Sequence, residues 1–204
     1  TLNHGDIDAN YFQHQPFLDN ALKETDFKLK ALGIGSGTHV GLYSKKYKSI
    51  NDVTDGARVV IPNDPVNQGR ALLLLQQSKL ITLKDANNHL SNLQDIASNP
   101  KNLKFIEVEG PQTARAVDEA DLVFSYPMYL RLAKTIDPNA ALVLDQINNT
   151  RYAILFVVRD DYEQTHPEKA ENLKKFIQIY QNSEKVKQEL NTDIGEKLWF
   201  KGWK

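Results

Sequence analysis

VVIPNDPVNQGRALLLLQQ, residues Val59–Gln77, is the stretch that decides the fold. Its β-branched residues are typical of a buried strand, and this strand ends at Pro62. Asn63 or Asp64 can cap a following helix, whose first turn accommodates Pro65 and whose body is the apolar run after it. The stretch therefore predicts a strand that leads directly into a helix, which is the basic step of an α/β protein.

Arg70 lies inside this predicted helix, about a turn and a half from its start. The free N–H groups and the dipole at a helix start favour an anion, and a guanidinium can bind a carboxylate through two parallel hydrogen bonds. Asn67, three residues earlier, shares the same helix face. The pattern predicts a site for a small carboxylate. The alternative is an ordinary capped helix in which Arg70 pairs with Asp64.

Strands and helices alternate along the rest of the chain. The predicted strands are Asp6–Phe12, Lys28–Gly35, His39–Lys46, Arg58–Pro62, Leu103–Glu109, Asp121–Tyr126 and Arg151–Arg159. The predicted helices are Gln15–Thr25, Val66–Ser78, Pro111–Ala120 and His166–Asn191. This order predicts an α/β fold with mostly parallel strands, and in such sheets ligands bind at the carboxyl ends of the strands.

Composition argues against several classes of function. Lys and Arg number 25 and Asp and Glu number 26, so the chain lacks the basic excess of a nucleic-acid-binding protein. There is no cysteine, and the five histidines show no paired metal-ligand spacing. We therefore expect no metal and no other cofactor. No apolar stretch approaches the roughly 18–20 residues of a membrane span.

The search for catalytic motifs favours a binding protein over an enzyme. GIGSG, at Gly33–Gly37, fits neither a nucleophile elbow nor a dinucleotide-binding loop. Asp6 and Asp8 alternate on a predicted strand, and a catalytic carboxylate pair there stays open as an alternative. Solvated residues at the end of a loop explain the same pattern more simply.

A second unusual stretch is NYFQHQPF, at Asn10–Phe17. Aromatic rings with one polar nitrogen among them suit a mostly apolar pocket with a few directed hydrogen bonds. The alternative is that Phe12 and Phe17 are core residues and that His14 caps a helix.

Four segments of the chain together resemble the NlpA/MetQ family, whose members are substrate-binding lipoproteins that deliver methionine to an ABC importer. These segments are GDIDANYFQHQPFLD, VGLYSKKYKS, IPNDPVNQGRALLLLQ and NPKNLKFIEVEGPQ. The resemblance implies a two-lobed, type II periplasmic-binding-protein fold that closes on its ligand through a hinge. It further implies an ABC transporter permease as partner, and a place in the periplasm or cell envelope through a lipid-anchored precursor.

The resemblance also implies the lobe boundaries. One lobe would contain residues 1–43 and 151–204, and the other residues 44–150. The chain would cross between lobes near THVGLYS, at Thr38–Ser44, and again near NTRYAILF, at Asn149–Phe156.

Several site residues follow from the family pattern. Phe12 and His14 match a family motif in which the ring lines the ligand's side-chain pocket and the histidine orients the ligand. Phe17 stands where the family usually has tyrosine. Arg70 matches the arginine that binds the ligand carboxylate, and Asn67 lies beside it.

Two positions depart from the family pattern. Met128 and Ile154 each stand where family members have a ligand-binding asparagine, so an α-amino group would find fewer acceptors. We expect methionine or a related small amino-acid-like carboxylate as ligand, bound in an interlobe cleft, with Tyr43, at the first crossing, completing the apolar wall with Met128. The alternative is a degenerate family member that serves as a surface or adhesive protein.

A third departure concerns the start of the chain. Family members carry a further strand–helix–strand segment before GDIDAN, and we expect this chain to lack it. A sheet without an inner strand exposes unpaired backbone. The sequence therefore predicts a homodimer or strand exchange at the incomplete lobe.

Overall fold

The computed structural model describes residues 1–145 and 150–204. The α-helices are α1 (Gln15–Glu24), α2 (Pro65–Gln77), α3 (Gly110–Thr113), α4 (Pro127–Ala133), α5 (Tyr162–Thr165), α6 (Pro167–Asn182) and α7 (Glu184–Leu190). The strands are β1 (Asn10–His14), β2 (Leu29–Thr38), β3 (Gly41–Tyr43), β4 (Arg58–Pro62), β5 (Thr82–Leu83), β6 (Ile96–Ser98), β7 (Lys104–Val108), β8 (Leu122–Ser125), β9 (Val143–Leu144), β10 (Ala153–Arg159) and β11 (Trp199–Lys201).

These elements form two compact units. The first unit comprises Thr1–Thr38 and Asn148–Lys204, and the second comprises His39–Ile147. The lobe boundaries implied by the family resemblance stay a prediction. The second predicted chain crossing begins at Asn149, which lies outside the described residues.

The sheet of the first unit has the strand order β1-β10-β2-β11, and each neighbouring pair in it is antiparallel. The expectation of mostly parallel strands is therefore wrong for this unit. β1, α1 and β2 do form a crossover between two parallel strands, but β10 inserts between these strands and runs against both. A strand that arrives from far along the chain cannot be placed by local alternation.

β2 runs to Thr38, beyond the predicted end of its strand at Gly35, and passes through Gly33, Gly35 and Gly37 without interruption. A Cβ atom at Gly35 would lie 2.2 Å from the hydroxyl of Tyr11, and one at Gly37 would lie 2.2 Å from the ring of Phe200. Both glycines therefore leave room for aromatic rings to pack directly on the strand, so they serve side-chain packing within β2.

The sheet of the second unit has the strand order β7-β4-β8-β3-β9. Here the prediction of parallel strands is confirmed for β4, which runs parallel to both β7 and β8, whereas β3 is antiparallel to both of its neighbours. Helix α2 follows β4 as predicted, and Leu72 and Leu75 pack in the same buried cluster as Val59 and Ile61. This unit also contains the two-stranded sheet β5-β6.

Two predicted helices are broken in the structure. The predicted helix Pro111–Ala120 consists of α3 and a separate 3₁₀ turn at Arg115–Asp118. The predicted helix His166–Asn191 is divided at Ser183, whose backbone is extended and whose side chain caps α7 by accepting from the N–H of Val186. Serine favours a helix start over a helix interior for this reason.

Within residues 1–145 and 150–204, no helix has both the length and the apolar character needed to cross a membrane.

Candidate ligand-binding site

The candidate site of the second unit lies where two parallel strands end side by side. Val60 of β4 pairs with Val123 of β8, so the chain leaves both strands at the same edge of the sheet. Each strand leads into a helix that begins with a proline, Pro65 in α2 and Pro127 in α4. This edge, where the carboxyl ends of parallel strands meet, is the position at which open α/β sheets bind ligands.

Asp64 caps α2 and holds Asn67. Its carboxylate accepts the backbone N–H of Asn67 at 2.9 Å, and both carboxylate oxygens accept from the side-chain nitrogen of Asn67 at 3.1 Å. The predicted cap is therefore confirmed. The alternative pairing of Arg70 with Asp64 is not the one that the structure has, because Arg70 bonds to Asp145.

Arg70 forms a buried ion pair with Asp145. The two residues are only 2% and 3% exposed. The Nε and one terminal nitrogen of Arg70 donate to the same carboxylate oxygen, at 3.1 and 2.7 Å. The other oxygen of Asp145 accepts the backbone N–H of Val40 at 3.1 Å and lies 3.2 Å from Nδ1 of His39. These contacts hold the guanidinium in one orientation.

A cavity of about 280 Å³ lies beside this ion pair. It is lined by Arg70, Leu73, Leu74, Gln76, Gln77, Ala86, Asn87, His89 and Asp145. All of these residues belong to the second unit. Arg70 thus lines a concave surface with apolar and polar walls, whose volume is just below the usual range for small-molecule sites.

The first unit brings together the predicted residues of the N-terminal stretch. Between Tyr11 and Gln13 the register of β1 against β10 shifts, so Phe12 is the extra residue of a β-bulge. Its ring is 61% exposed and contacts the ring of Phe17 edge-on, with centroids 5.8 Å apart. A bulge re-aims a side chain, and here it leaves an aromatic ring available for binding. The alternative that Phe12 is a core residue is wrong.

His14 is buried and caps α1, as the second interpretation of this stretch expected. Its Nδ1 accepts the backbone N–H of Phe17 at 3.3 Å, and its ring lies edge-on to Tyr152 with centroids 5.2 Å apart. Ile154 is partly buried and lies opposite His14 in the β1–β10 ladder. The predicted residues Phe12, His14, Phe17 and Ile154 are therefore neighbours within one unit.

The two remaining predicted residues lie in the second unit. Tyr43 is completely buried, and its hydroxyl donates to the carbonyl of Pro138 at 2.9 Å, so its placement favours a structural role. Met128 lies in the first turn of α4 and is 41% exposed.

Sequence reasoning missed Asp145 and Tyr126. Asp145 directly follows the apolar strand β9, and a carboxylate at the end of an apolar strand is a signal that could have marked it. Its pairing with Arg70, 75 residues away, carries no local signal. Tyr126 directly follows β8 in the same way.

Comparison with known proteins decides the family. The sequence model of the NlpA lipoprotein family matches residues 1–202. The chain belongs to the NlpA lipoprotein family. This confirms the resemblance drawn from the four sequence segments.

The chain is 43% identical to the D-methionine-binding lipoprotein MetQ of Escherichia coli O157:H7 over 186 residues, which is 90% of this chain and 66% of that protein. The chain thus spans just under two thirds of the length of this NlpA-family relative.

Two solved structures extend the comparison. The substrate-binding protein of a methionine transporter from Streptococcus pneumoniae superimposes with a TM-score of 0.89 at 31% identity, covering 97% of this chain and 77% of that one. A nutrient-binding protein from Burkholderia cenocepacia, bound to methionine, gives a TM-score of 0.86 at 35% identity. This alignment covers 97% of this chain and 80% of that one. The NlpA-family chain therefore has the predicted α/β fold of the substrate-binding proteins.

Proposed function

We propose that this chain is the substrate-binding component of an ABC importer and that it binds methionine or a related small amino-acid-like carboxylate. The observation that carries the proposal is Arg70, whose buried guanidinium is held by Asp145 and which lines a cavity beside α2. A fixed guanidinium suits a carboxylate, because it offers parallel donors in one plane. Family membership and the methionine-binding relatives support the same ligand class.

The charges around Arg70 favour a zwitterion over a simple anion. Asp145 is bonded to Arg70, and Asp64 lies at the start of the same helix. A ligand that carries both a carboxylate and an ammonium group leaves the net charge of the site unchanged, whereas a simple anion adds uncompensated negative charge. The two aspartates also offer carboxylate acceptors for an ammonium group, which the side chains of Met128 and Ile154 do not.

The remaining predicted residues take apolar roles in this proposal. Phe12, Phe17 and Met128 are the residues proposed to contact the ligand's apolar side chain. His14 orients the ligand while it caps α1. Tyr43 supports the core beneath the site. Hinge closure would bury the ligand, and the closed form would be recognised by the transporter permease.

We place the protein in the periplasm or cell envelope, with a lipid anchor on the full-length precursor. The names of the relatives as lipoproteins support this location. Its role there is binding and delivery rather than catalysis.

Isothermal titration calorimetry with L-methionine and D-methionine tests the proposed function. The protein is first unfolded and refolded to remove any retained ligand. We expect at least one enantiomer to bind with a Kd of about 1 µM or below, which corresponds to roughly −8 kcal/mol. Methioninol is the matched control, because it lacks the carboxylate that Arg70 would bind. Failure of both enantiomers to bind, with no small molecule retained in native mass spectrometry, would favour the alternative of a degenerate surface or adhesive protein.

We also propose that the open edge of β1 pairs with a second copy of the chain. Among the described residues, β1 is paired only with β10, and Phe12 at the bulge of β1 is exposed. Unpaired strand edges with apolar neighbours favour association. Light scattering after size exclusion is expected to give twice the mass of the 23.2 kDa chain. A monomer at all concentrations tested would contradict the proposed pairing.

A further inference from the structure

The hydroxyl of Tyr126 is buried and has no hydrogen-bond partner. Among the side chains of residues 1–145 and 150–204, it is the one buried nitrogen or oxygen atom without a hydrogen-bond partner. Burying a hydroxyl without a partner costs free energy, and native proteins rarely accept this cost without a functional reason. The hydroxyl is therefore a candidate to donate to a group from outside the chain.

Packing fixes the ring that carries this hydroxyl. Tyr126 directly follows β8 and occupies the N-cap position of α4, where its side chain makes no capping bond. Its ring meets Phe124 and Tyr129 edge-on, with centroids 5.5 and 5.2 Å apart. These two contacts hold the ring of Tyr126 in place directly after β8.

The charges of the candidate site act on this hydroxyl. Burial raises the pKa of Tyr126 well above its ordinary value, and the carboxylates of Asp64 and Asp145 raise it further. The positive charge of Arg70 opposes this rise. The phenol consequently stays protonated at neutral pH and is a hydrogen-bond donor close to the guanidinium.

We propose that the Tyr126 hydroxyl donates a hydrogen bond to the carboxylate of the ligand that Arg70 binds, and so helps to determine specificity for that group. This inference rests on the proposed function. A guanidinium and a phenol are both donors, and a carboxylate has two oxygens that can satisfy them together. The hydroxyl is buried, so a ligand must displace neighbouring atoms to reach it.

The substitution Tyr126→Phe tests the inference, because it removes the hydroxyl and keeps the packed ring. Two measurements are needed, the Kd for methionine by calorimetry and the Tm of the ligand-free protein. We expect the Kd to rise about tenfold, as loss of one hydrogen bond to a charged group predicts. We expect the ligand-free Tm to stay the same or to rise, since the hydroxyl has no partner to lose.

Tyr47→Phe is the matched control. The Tyr47 hydroxyl is bonded to the side-chain oxygen of Thr54 at 2.7 Å in the same unit, away from the candidate site. This variant should lower the Tm and leave the Kd unchanged. A fall in the Tm of ligand-free Tyr126→Phe would reveal an internal partner of the hydroxyl and overturn the inference.

The binding results separate this inference from the proposed function. If the wild type binds methionine and Tyr126→Phe binds it equally well, a buried water satisfies the hydroxyl, and only the role of Tyr126 is overturned. If the wild type binds neither enantiomer, the proposed function fails and the role of Tyr126 fails with it.

Discussion

Replacing Arg70 by methionine should weaken methionine binding by about a hundredfold or more, the largest effect on affinity that we expect from one side chain. Removal of one partner from a buried, hydrogen-bonded charge pair costs about 2–5 kcal/mol of binding free energy. Arg70 is buried and held in one orientation by two hydrogen bonds to Asp145. The measurement is calorimetric titration of the folded variant with the enantiomer that the wild type prefers.

Arg58→Met is the control for this experiment. Arg58 lies at the start of β4, at the opposite end of the strand from α2, and its exposed side chain bonds to the carbonyl of Glu119. Affinity should be unchanged in this variant. If folded Arg70→Met bound methionine with full affinity, Arg70 would not be a ligand-binding residue and the proposed site would be wrong.

Asp145→Ala should lower the free energy of unfolding by about 3–5 kcal/mol, the largest effect on stability that we expect. Loss of this carboxylate leaves the Arg70 charge buried without its partner, and removing one partner of a buried pair is strongly destabilising. It also leaves the backbone N–H of Val40 without its acceptor. The measurement is urea unfolding followed by far-ultraviolet circular dichroism.

A double substitution keeps this prediction interpretable. Arg70→Met combined with Asp145→Asn removes both charges, while the amide oxygen of the introduced asparagine can still accept the backbone N–H of Val40. Because neutral replacement of a buried pair is often tolerated, the double variant should be more stable than Asp145→Ala, yet it should not bind methionine. It therefore also tests Arg70 in a protein that stays folded.

Asp118→Ala supplies the matched control for stability. Asp118 pairs with Lys45 at the surface, and exposed pairs contribute about 0–1 kcal/mol. A loss of stability in Asp145→Ala that is no larger than in Asp118→Ala would mean that the buried pair does not hold the second unit together.

Local sequence signals predicted the individual elements well. β4 was predicted to the residue, and α2 begins one residue earlier than predicted. The strand at Asp6–Phe12 instead begins at Asn10 and extends to His14, because His14 both ends β1 and caps α1. Periodicity, proline and capping residues act over a few neighbouring positions, so a sequence contains them directly.

The candidate site was predicted only in part, for a related reason. The role of Arg70 as a buried cation beside a helix start was visible in the sequence, and so was the cluster of rings around His14. The partner of Arg70 was not visible in the sequence. Asp145 directly follows β9, which lies three strands away from β4 in the same sheet. The ligand contact of Tyr43 stays a prediction, because its position at a predicted crossing suggested it and the fold places Tyr43 in the core.

The sequence by itself determined the β4–α2 step, the cap at Asp64, the aromatic stretch around His14 and, through its resemblance, the family. Only the tertiary structure decided that β10 separates β1 from β2, that Asp145 neutralises Arg70, and that the Tyr126 hydroxyl is buried without a partner. The physical reason is the range of the interactions. Helix starts and strand periodicity depend on residues a few positions apart, whereas burial, ion pairing and unsatisfied hydrogen bonds depend on which distant segments pack together.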